Sequence, residues 1–257
     1  LFAMRRVNYV TRFGLDALFA PQDVMAGWET GLVAAPGVGA RHDMLLAAST
    51  RAGFATARFA MNGDFEAALQ RGLAAGVRPS NVANLNLAAY LTPTSGITFT
   101  VRDNFSRVDN AWLPTQLSLG DPIGGPRGYL GSQIAGGMRN VTRAELRRAV
   151  PAAIRGADAG AAAFFDLGQM WAGDVPYGSS TTAPTLGLSL LAAYPTRSKR
   201  VYRIDVAFPL RRASRRGIEI RFGNGDPSVI NTIEPRDVTQ LRVAPVPSSI
   251  FVWPERR

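Results

Sequence analysis

Residues 120–129 read GDPIGGPRGY, and our prediction of the fold starts from the segment that begins there and ends at Gly168. The glycines and prolines around Arg127 let the backbone turn tightly and approach other groups closely. Two carboxylates follow the loop, Glu145 in an alternating segment and Asp166 in the sequence FFDLG. We predict that Arg127 lies at the tip of a long loop folded into the lumen of a β-barrel, where it meets these inward-facing carboxylates.

The predicted contact has a simple physical basis. A guanidinium group presents a planar fork of donors that can bridge two carboxylates. In a partly desolvated lumen, losing one member of such a pair leaves an uncompensated charge and costs roughly 3–5 kcal/mol. The contact would therefore pin the loop. The alternative is that Arg127 belongs to an ordinary surface turn and that Asp166 only lines the lumen.

The segments on both sides of this stretch alternate between apolar and polar residues, with the period of two that a β-strand imposes. We predict about thirteen strands, including residues 6–19, 24–33, 44–50, 54–61, 65–75, 85–91, 97–105, 141–147, 163–171, 186–194, 202–210 and 218–222. Turn residues predict connections at residues 51–53, 62–64, 76–81 and 93–96. Residues 65–75 are rich in alanine and leucine, so a short helix is an alternative there, but the neighbouring strands favour a strand.

The composition is typical of a transmembrane barrel. The chain has 257 residues, of which 19% are charged, and its mean hydropathy is +0.01. The apolar residues never form the run of roughly 18 that a membrane-spanning helix needs. They lie in short alternating segments, so the hydropathies of apolar lipid-facing residues and polar lumen-facing residues average to a value near zero. Cysteine is absent, which excludes disulfides and thiolate chemistry, and we predict no cofactor, no metal site and no catalytic residue.

The net charge of +10 fits a nucleic-acid surface, a surface that meets anionic lipid head groups, or a basic lumen. Arginines recur inside one strand at Arg139, Arg143 and Arg147, which places them on one face and favours the lumen. We therefore predict no nucleic-acid partner. The single histidine, His42, follows a glycine-rich turn and is predicted to be solvated rather than catalytic.

The large aromatic residues allow two interpretations. Near strand ends, tryptophan and tyrosine form girdles at the membrane interfaces of transmembrane barrels. In a soluble barrel or sandwich, the same side chains would pack the core. Their positions favour the girdle. The residues concerned are Trp28, Trp112, Trp171, Tyr194 and Tyr202.

The loop resembles one found in the outer-membrane barrel assembly and two-partner secretion transporter superfamily, also called bacterial surface antigens. Members carry periplasmic POTRA domains followed by a sixteen-stranded barrel. An extracellular loop of that barrel folds into the lumen and has an arginine-glycine-aromatic tip. The matching residues are Arg127, Gly128 and Tyr129.

Two later strands add to the resemblance. One carries a Phe-x-Asp-x-Gly motif in the family, matched here by Phe164, Asp166 and Gly168. The strand before it carries a glutamate, matched by Glu145. The resemblance implies that the two carboxylates hold the loop arginine.

The resemblance is strongest over residues 117–222, and it implies a function and a location. We expect a β-barrel in the outer membrane of a Gram-negative envelope, in contact with lipid that includes anionic lipopolysaccharide. Such a barrel would translocate unfolded or secreted client proteins, or insert outer-membrane proteins, without enzymatic activity. If Phe222 ends strand sixteen, the Phe-x-Asp-x-Gly strand is strand thirteen, as the family requires, and residues 6–19 are strand four.

We predict two regions, a barrel over residues 1–222 that is incomplete at its N-terminal side and an extension rich in proline and arginine over residues 223–257. Most family members end at an aromatic residue of the last strand, so the extension departs from the pattern. Its apolar residues 250–253 predict that residues 226–257 dock on a periplasmic or other envelope partner, or into the barrel mouth. Pro126 is another departure, since the family prefers valine there, and it stiffens the loop.

Two alternative functions stay open. The chain carries no visible POTRA pattern, which favours a structural or passive-pore barrel that anchors a larger envelope complex. Some family members fuse the barrel to a patatin-like lipase, so this chain would be the barrel part of such an enzyme. The chain itself has no Gly-x-Ser-x-Gly nucleophile elbow in the required setting.

Overall fold

The computed structural model describes residues 1–37, 43–72, 78–110, 116–175, 177–211 and 217–225. Every regular element in these ranges is a β-strand, and no helix there is long and apolar enough to cross a membrane. The strands are β1 Phe2–Arg12, β2 Gln22–Pro36, β3 Asp43–Ala55, β4 Phe59–Gly72, β5 Ser80–Thr94, β6 Ile97–Asp109, β7 Leu117–Ser118, β8 Ala135–Gly136, β9 Met138–Ile154, β10 Ala157–Trp171, β11 Thr181–Ala193, β12 Val201–Pro209 and β13 Glu219–Gly225.

Eleven of these strands form one antiparallel sheet in the order β1-β2-β3-β4-β5-β6-β9-β10-β11-β12-β13. Each strand pairs with the next long strand along the chain, the simplest arrangement for a chain that repeatedly turns back on itself. The two-residue strands β7 and β8 pair with each other in the long connection between β6 and β9. The predicted all-β antiparallel fold is confirmed.

The sheet is open. In the described part of the chain β1 pairs only with β2 and β13 only with β12, so these strands do not close the predicted barrel. The predicted count of about thirteen strands is also too high for the sheet, which has eleven. In the sixteen-strand numbering used for the prediction, with β13 as strand sixteen, β10 is strand thirteen as predicted. β1 is then strand six rather than strand four.

Part of the excess arises because two predicted turns lie inside strands, so that three predicted strands, residues 44–50, 54–61 and 65–75, are two strands in the structure. Residues 51–53 belong to β3 and residues 62–64 to β4, whereas the connection between these strands is at residues 56–58. Asp64 is only 7% exposed and accepts a hydrogen bond from Asn86 on β5 at 3.1 Å. Residues that favour turns are used here to line the buried polar face of the sheet.

The strand interpretation of residues 65–75 is confirmed as far as Gly72, where β4 ends. Residues 73–75 lie outside the described residues. The same is true of His42, of Trp112 and of the predicted docking segment 226–257.

The sheet has a polar inner face and an apolar outer face. On β5 alternate side chains are buried, and polar ones bond across strands, as Asn104 does to Asn84 at 3.0 Å. The other face exposes large apolar side chains, including Phe99, Leu146, Phe165, Leu186, Leu188, Ile204 and Ile220. This polarity is the reverse of a soluble sandwich, in which the apolar face of each sheet is buried.

The connections differ between the two ends of the strands. At one end, residues 56–58, 95–96 and 155–156 make short turns, while residues 13–21 and 194–200 make longer connections. The connections at the other end are all longer than these three turns and include residues 110–137 between β6 and β9. We call these the short-turn end and the long-loop end. β13 ends at Gly225, at the short-turn end.

The connection between β1 and β2 folds inward at the short-turn end. Its residues were predicted to continue a strand over residues 6–19, but β1 ends at Arg12 and residues 13–20 form bends and turns. We call residues 13–20 the inner plug. Leu15 packs in a buried cluster with residues of β2, β4 and β5, and Leu18 packs in another with residues of β10, β11 and β12. The apolar residues that mimic a strand pattern are therefore used to fill space inside the sheet.

Because the inner plug contacts strands from both halves of the sheet, the sheet must curve around it. Polar contacts agree with this. Asp16 accepts a hydrogen bond from the Tyr90 hydroxyl at 2.7 Å and pairs with Arg102 on β6. Arg147 on β9 donates to the backbone carbonyl of Leu15. We call the enclosed space the lumen.

Four of the five predicted girdle residues are described, and each is exposed by more than a third of its surface. The values are 39% for Trp28, 37% for Trp171, 68% for Tyr194 and 46% for Tyr202. The last three lie at or beside strand ends, whereas Trp28 lies near the middle of β2. The alternative interpretation, that these side chains pack a core, is therefore wrong for these four residues.

Replacing Leu15 with alanine tests the packing of the inner plug. Leu15 is 2% exposed, and removing a buried leucine side chain costs about 2–5 kcal/mol of the free energy of unfolding. We expect that loss for Leu15→Ala in denaturant titrations of the folded protein. Leu188→Ala is the matched control, because Leu188 is 60% exposed, and its effect should stay within about 0.5 kcal/mol. Equal losses in the two variants would contradict an internal plug.

Candidate functional site

The loop around Arg127 lies against the inner face of the sheet. We call residues 119–134, between β7 and β8, the lumen loop. Its first turn is built by Asp121, whose side chain accepts hydrogen bonds from the backbone N–H of Ile123 at 3.0 Å and from that of the next residue. At Gly125 a Cβ atom would lie 2.2 Å from a backbone carbonyl oxygen of the loop, so only glycine fits there.

Arg127 is bound to Asp166 by three hydrogen bonds. The carboxylate accepts from the backbone N–H at 3.0 Å, from Nε at 2.8 Å and from Nη2 at 2.7 Å. Asp166 is fully buried and Arg127 is 8% exposed, so the pair is almost removed from water. Asp166 faces inward because it alternates with Phe165 and Leu167 along β10. The two side chains meet in the bidentate geometry that suits an arginine and a carboxylate.

Glu145 lies within ion-pair distance of the loop arginine, but its closest partner is Arg203 on β12. Nη2 of Arg203 is 2.6 Å from Glu145 Oε2, whereas Nη1 of Arg127 is 3.7 Å from the same atom. Arg203 also bonds Asp205 at 2.6 Å, and Asp205 lies 3.6 Å from Arg127. Arg127 therefore has one close carboxylate and shares two others with Arg203.

Phe164 stacks on the loop arginine. Cζ of Arg127 lies 3.4 Å from the centre of the Phe164 ring, a cation–π contact in a buried setting. Gly187 lies directly opposite Phe164 on β11. A Cβ atom at Gly187 would lie 2.1 Å from the ring, so the absence of a side chain there makes room for the stack.

Gly128 and Tyr129 complete the tip of the lumen loop. Gly128 has a φ of +89°, a conformation that residues with a side chain rarely adopt. Tyr129 is 1% exposed, and its hydroxyl donates to the carbonyl of Pro184 on β11 at 3.1 Å. Burial raises the pKa of the Tyr129 hydroxyl above its ordinary value, which keeps the proton that this hydrogen bond needs.

Gly168 accommodates the proline that departs from the family pattern. A Cβ atom on Gly168 would lie 2.7 Å from Cγ of Pro126, so the proline ring packs directly on the inner face of β10. The carbonyl of Pro126 accepts a hydrogen bond from Arg221 on β13 at 3.3 Å. Pro126 thus precedes the arginine without disturbing the ion pair.

Three arginines of β9 hold backbone that lies inside the sheet, and they face the lumen as predicted. Arg139 donates to the carbonyl of Ser118, just before the lumen loop, at 2.6 Å. Arg143 donates to two carbonyls within the loop, at 2.8 and 3.0 Å. Arg147 donates to the inner plug. One strand therefore fastens the segments that enter the lumen from both ends.

The last strand holds the other side of the loop. Glu219 on β13 accepts a hydrogen bond from the backbone N–H of Leu130 at 2.9 Å. Glu219 also pairs with Arg221, which donates to Pro122 and Pro126 of the loop at 3.3 Å. The lumen loop is thus bonded to both β9 and β13, at opposite sides of the second half of the sheet.

Several members of this network were not singled out from the sequence. Arg203 and Asp205 alternate with an apolar stripe on β12, which is enough to predict that they face inward but not which residue they meet. No pattern in the sequence indicated a role for Gly187. Its role depends on the cross-strand register that places it opposite Phe164, and that register exists only in the folded sheet.

Comparison with protein-family models, with curated proteins and with solved structures finds no match to this chain. The family resemblance therefore rests on the motif residues and on their contacts. Among the described residues, no group of three or more His, Asp or Glu side chains is placed to hold a metal ion. The ion pairs and hydrogen bonds of the network hold the lumen loop in one conformation against the inner face of the sheet.

Replacing Asp166 with asparagine should release the lumen loop. The variant keeps the shape of the side chain but leaves a buried arginine without its close counter-charge, which costs about 3–5 kcal/mol. Trypsin cleaves after accessible arginines, and Arg127 is 8% exposed in the intact protein. We expect cleavage after Arg127 in Asp166→Asn and not in the wild type, measured by mass spectrometry of the fragments. Asp109→Asn is the control, because Asp109 forms an exposed pair with Arg107; a wild-type cleavage pattern in Asp166→Asn would contradict the pinned loop.

Gly187→Ala should destabilise the protein through the Phe164 ring. The added methyl group has no room, and overpacking of this kind costs about 1–3 kcal/mol of the free energy of unfolding. Gly223→Ala on β13 is the matched control, since a Cβ atom there meets nothing within 4 Å. Denaturant titrations should show the loss in Gly187→Ala alone, and similar stabilities for the two variants would contradict the close stack.

Proposed function

We propose that this chain forms the wall of a bacterial outer-membrane β-barrel that translocates or inserts proteins, as members of the outer-membrane barrel assembly and two-partner secretion superfamily do. The observation that carries the proposal is the contact of Arg127 with Asp166 on the inner face of the sheet. It joins an arginine-glycine-aromatic loop tip to a Phe-x-Asp-x-Gly strand, and this is the arrangement that the resemblance implies.

The two faces of the sheet support a position in lipid. Leu188 and Leu190 on β11 are 60% and 64% exposed, and similar side chains continue across the outer face. A continuous apolar surface of this kind is unfavourable in water, at about 25 cal/mol per Å². Outer-membrane lipid, including lipopolysaccharide, is the proposed surrounding. Bacterial barrels have short periplasmic turns and longer extracellular loops, so the short-turn end would face the periplasm.

A barrel in lipid requires partners for both free edges of the sheet. Unpaired backbone groups at a sheet edge do not occur in the hydrocarbon region, because water is not there to bond them. The outer edges of β1 and β13 have no partner among the described strands. We propose that further strands, of this protein or of another chain, pair with these edges and close the barrel.

The inner plug favours one alternative function, a structural barrel that anchors a larger envelope complex. The lumen loop enters the lumen from the long-loop end, and the inner plug occupies it from the short-turn end. Passage of a polypeptide through the lumen would require one or both segments to move. A barrel that only anchors partners would keep both segments in place.

Reconstitution of the full-length protein in liposomes of outer-membrane lipid tests the proposal. We expect resistance to extraction by urea, as for an embedded barrel, and faster folding of a second, unfolded outer-membrane protein added to the liposomes. Asp166→Asn should insert but lose most of this acceleration, while Asp109→Asn keeps it. Folding of the added protein is measured by its resistance to protease.

The outcomes separate the two functions. Extraction of the protein by urea would contradict the membrane barrel itself. Insertion without any acceleration of folding, and without passage of an unfolded protein, would contradict the transport function and leave the structural barrel. Equal activity of Asp166→Asn and the wild type would contradict a role for the pinned loop.

A further inference from the structure

A polar cavity of about 310 Å³ lies inside the sheet, between its inner wall and the lumen loop. Five arginines and two acidic side chains line it. Both acids of the lining, Glu145 and Asp205, are bonded to Arg203. Three further carboxylates, those of Asp16, Asp166 and Glu219, pair with other arginines of the lining.

Of the five arginines that line the cavity, Arg143 is the one without a carboxylate partner in these pairs. Its Nη2 donates to the carbonyls of Ile123 and Gly125. Within the described residues, no carboxylate lies within ion-pair distance of Arg143, and its Nε and Nη1 have no hydrogen-bond acceptor. A guanidinium group thus faces the cavity with part of its donor fork unused.

Arg143 has Arg102 directly opposite it across the ladder to β6 and Asp166 directly opposite it across the ladder to β10, where the Asp166 carboxylate is bonded to Arg127. The Cβ atoms of directly opposite residues are about 4.5–5.5 Å apart, and like charges in such pairs are destabilising. Arg102 uses Nη2 for Asp16 and Tyr90, while its side chain is 42% exposed and lines the cavity. Two neighbouring cations therefore have donors left for a common acceptor.

We propose that this cavity binds a small oxyanion, of the class of inorganic phosphate or a phosphate monoester, between Arg102 and Arg143. An anion with several oxygens accepts from both guanidinium forks and offsets the repulsion between the two charges. Thr100, the next inward residue of β6, adds a hydroxyl donor to the lining. The cavity volume is at the lower end for small-molecule sites, which limits the ligand to a small one.

The bound anion would join the wall to the lumen loop. Ile123 of the loop lines the same cavity, and its carbonyl is already held by Arg143. Occupancy of the cavity should therefore hold the loop in its inward position. This site does not depend on whether the barrel moves proteins, because it is built from the inner wall and the loop alone.

Thermal unfolding of the full-length protein in detergent tests the site, with sodium phosphate compared with sodium chloride at matched ionic strength. Matching removes the general screening of charges. A ligand that binds only the folded state raises the unfolding temperature with the logarithm of its concentration above Kd. We expect an increase that grows with the logarithm of the phosphate concentration and that chloride does not produce, and titration calorimetry with inorganic phosphate then gives a saturable isotherm and the affinity.

Variants identify the residues that bind. Arg143→Gln should weaken phosphate binding roughly ten-fold or more, because it removes charged hydrogen-bond donors. Since Arg143 also holds the loop, the quantity compared is the phosphate-dependent shift and not the starting stability. Arg102→Gln keeps the loop contacts of Arg143 and should weaken binding to a similar extent. Arg107→Gln, on the exposed end of β6, is the control that keeps wild-type binding.

Two results would overturn the proposal. One is an equal response of the wild type to phosphate and to chloride. The other is a phosphate response that persists undiminished in both Arg143→Gln and Arg102→Gln. A shift confined to phosphate and lost in these two variants supports the site.

Discussion

The contact between Arg127 and Asp166 is the interaction on which the arrangement inside the sheet depends. A buried ion pair is costly to form, because both charges leave water, and it persists only where further hydrogen bonds satisfy the remaining donors. Here the backbone N–H of Arg127 completes the set of bonds to the carboxylate, and Phe164 covers the guanidinium. The pair fixes the tip of the lumen loop against β10. The neighbouring carboxylates then serve a second arginine, Arg203, so that charges on β9, β10 and β12 form one network.

The polarity of the sheet follows from the same requirement. Charged and amide side chains point inward and find partners among themselves, while large apolar side chains remain on the outside. Among the described residues no segment covers this outer face, and an exposed apolar face of this kind supports the proposed position in lipid. The arginines of the inner face also need hydrogen-bond acceptors inside the lumen. The lumen loop and the inner plug supply backbone carbonyls from opposite ends. Arg143 of β9 binds two carbonyls of the loop, and Arg147 binds one of the plug.

Sequence reasoning was most accurate where a side chain's direction follows from alternation alone. The inward position of Arg143 and Asp166 and the outward position of Leu188 are all consequences of the period of two. It failed where the same residue types serve a different purpose. Asp64 favours turns, but in β4 it is a buried partner of Asn86. Leu15 continues an alternating pattern, but β1 ends at Arg12 and the chain then turns inward through Gly14, which has a φ of +77°.

Local periodicity and turn chemistry are enough to predict the all-β antiparallel class and the two faces of each strand. Which strands face each other across the lumen depends on the tertiary structure. Register placed Gly187 opposite Phe164 and Arg102 opposite Arg143, and curvature brought Arg203 to Glu145. These contacts join residues far apart in the chain, and their positions depend on how all eleven strands pair at once, which no single segment encodes.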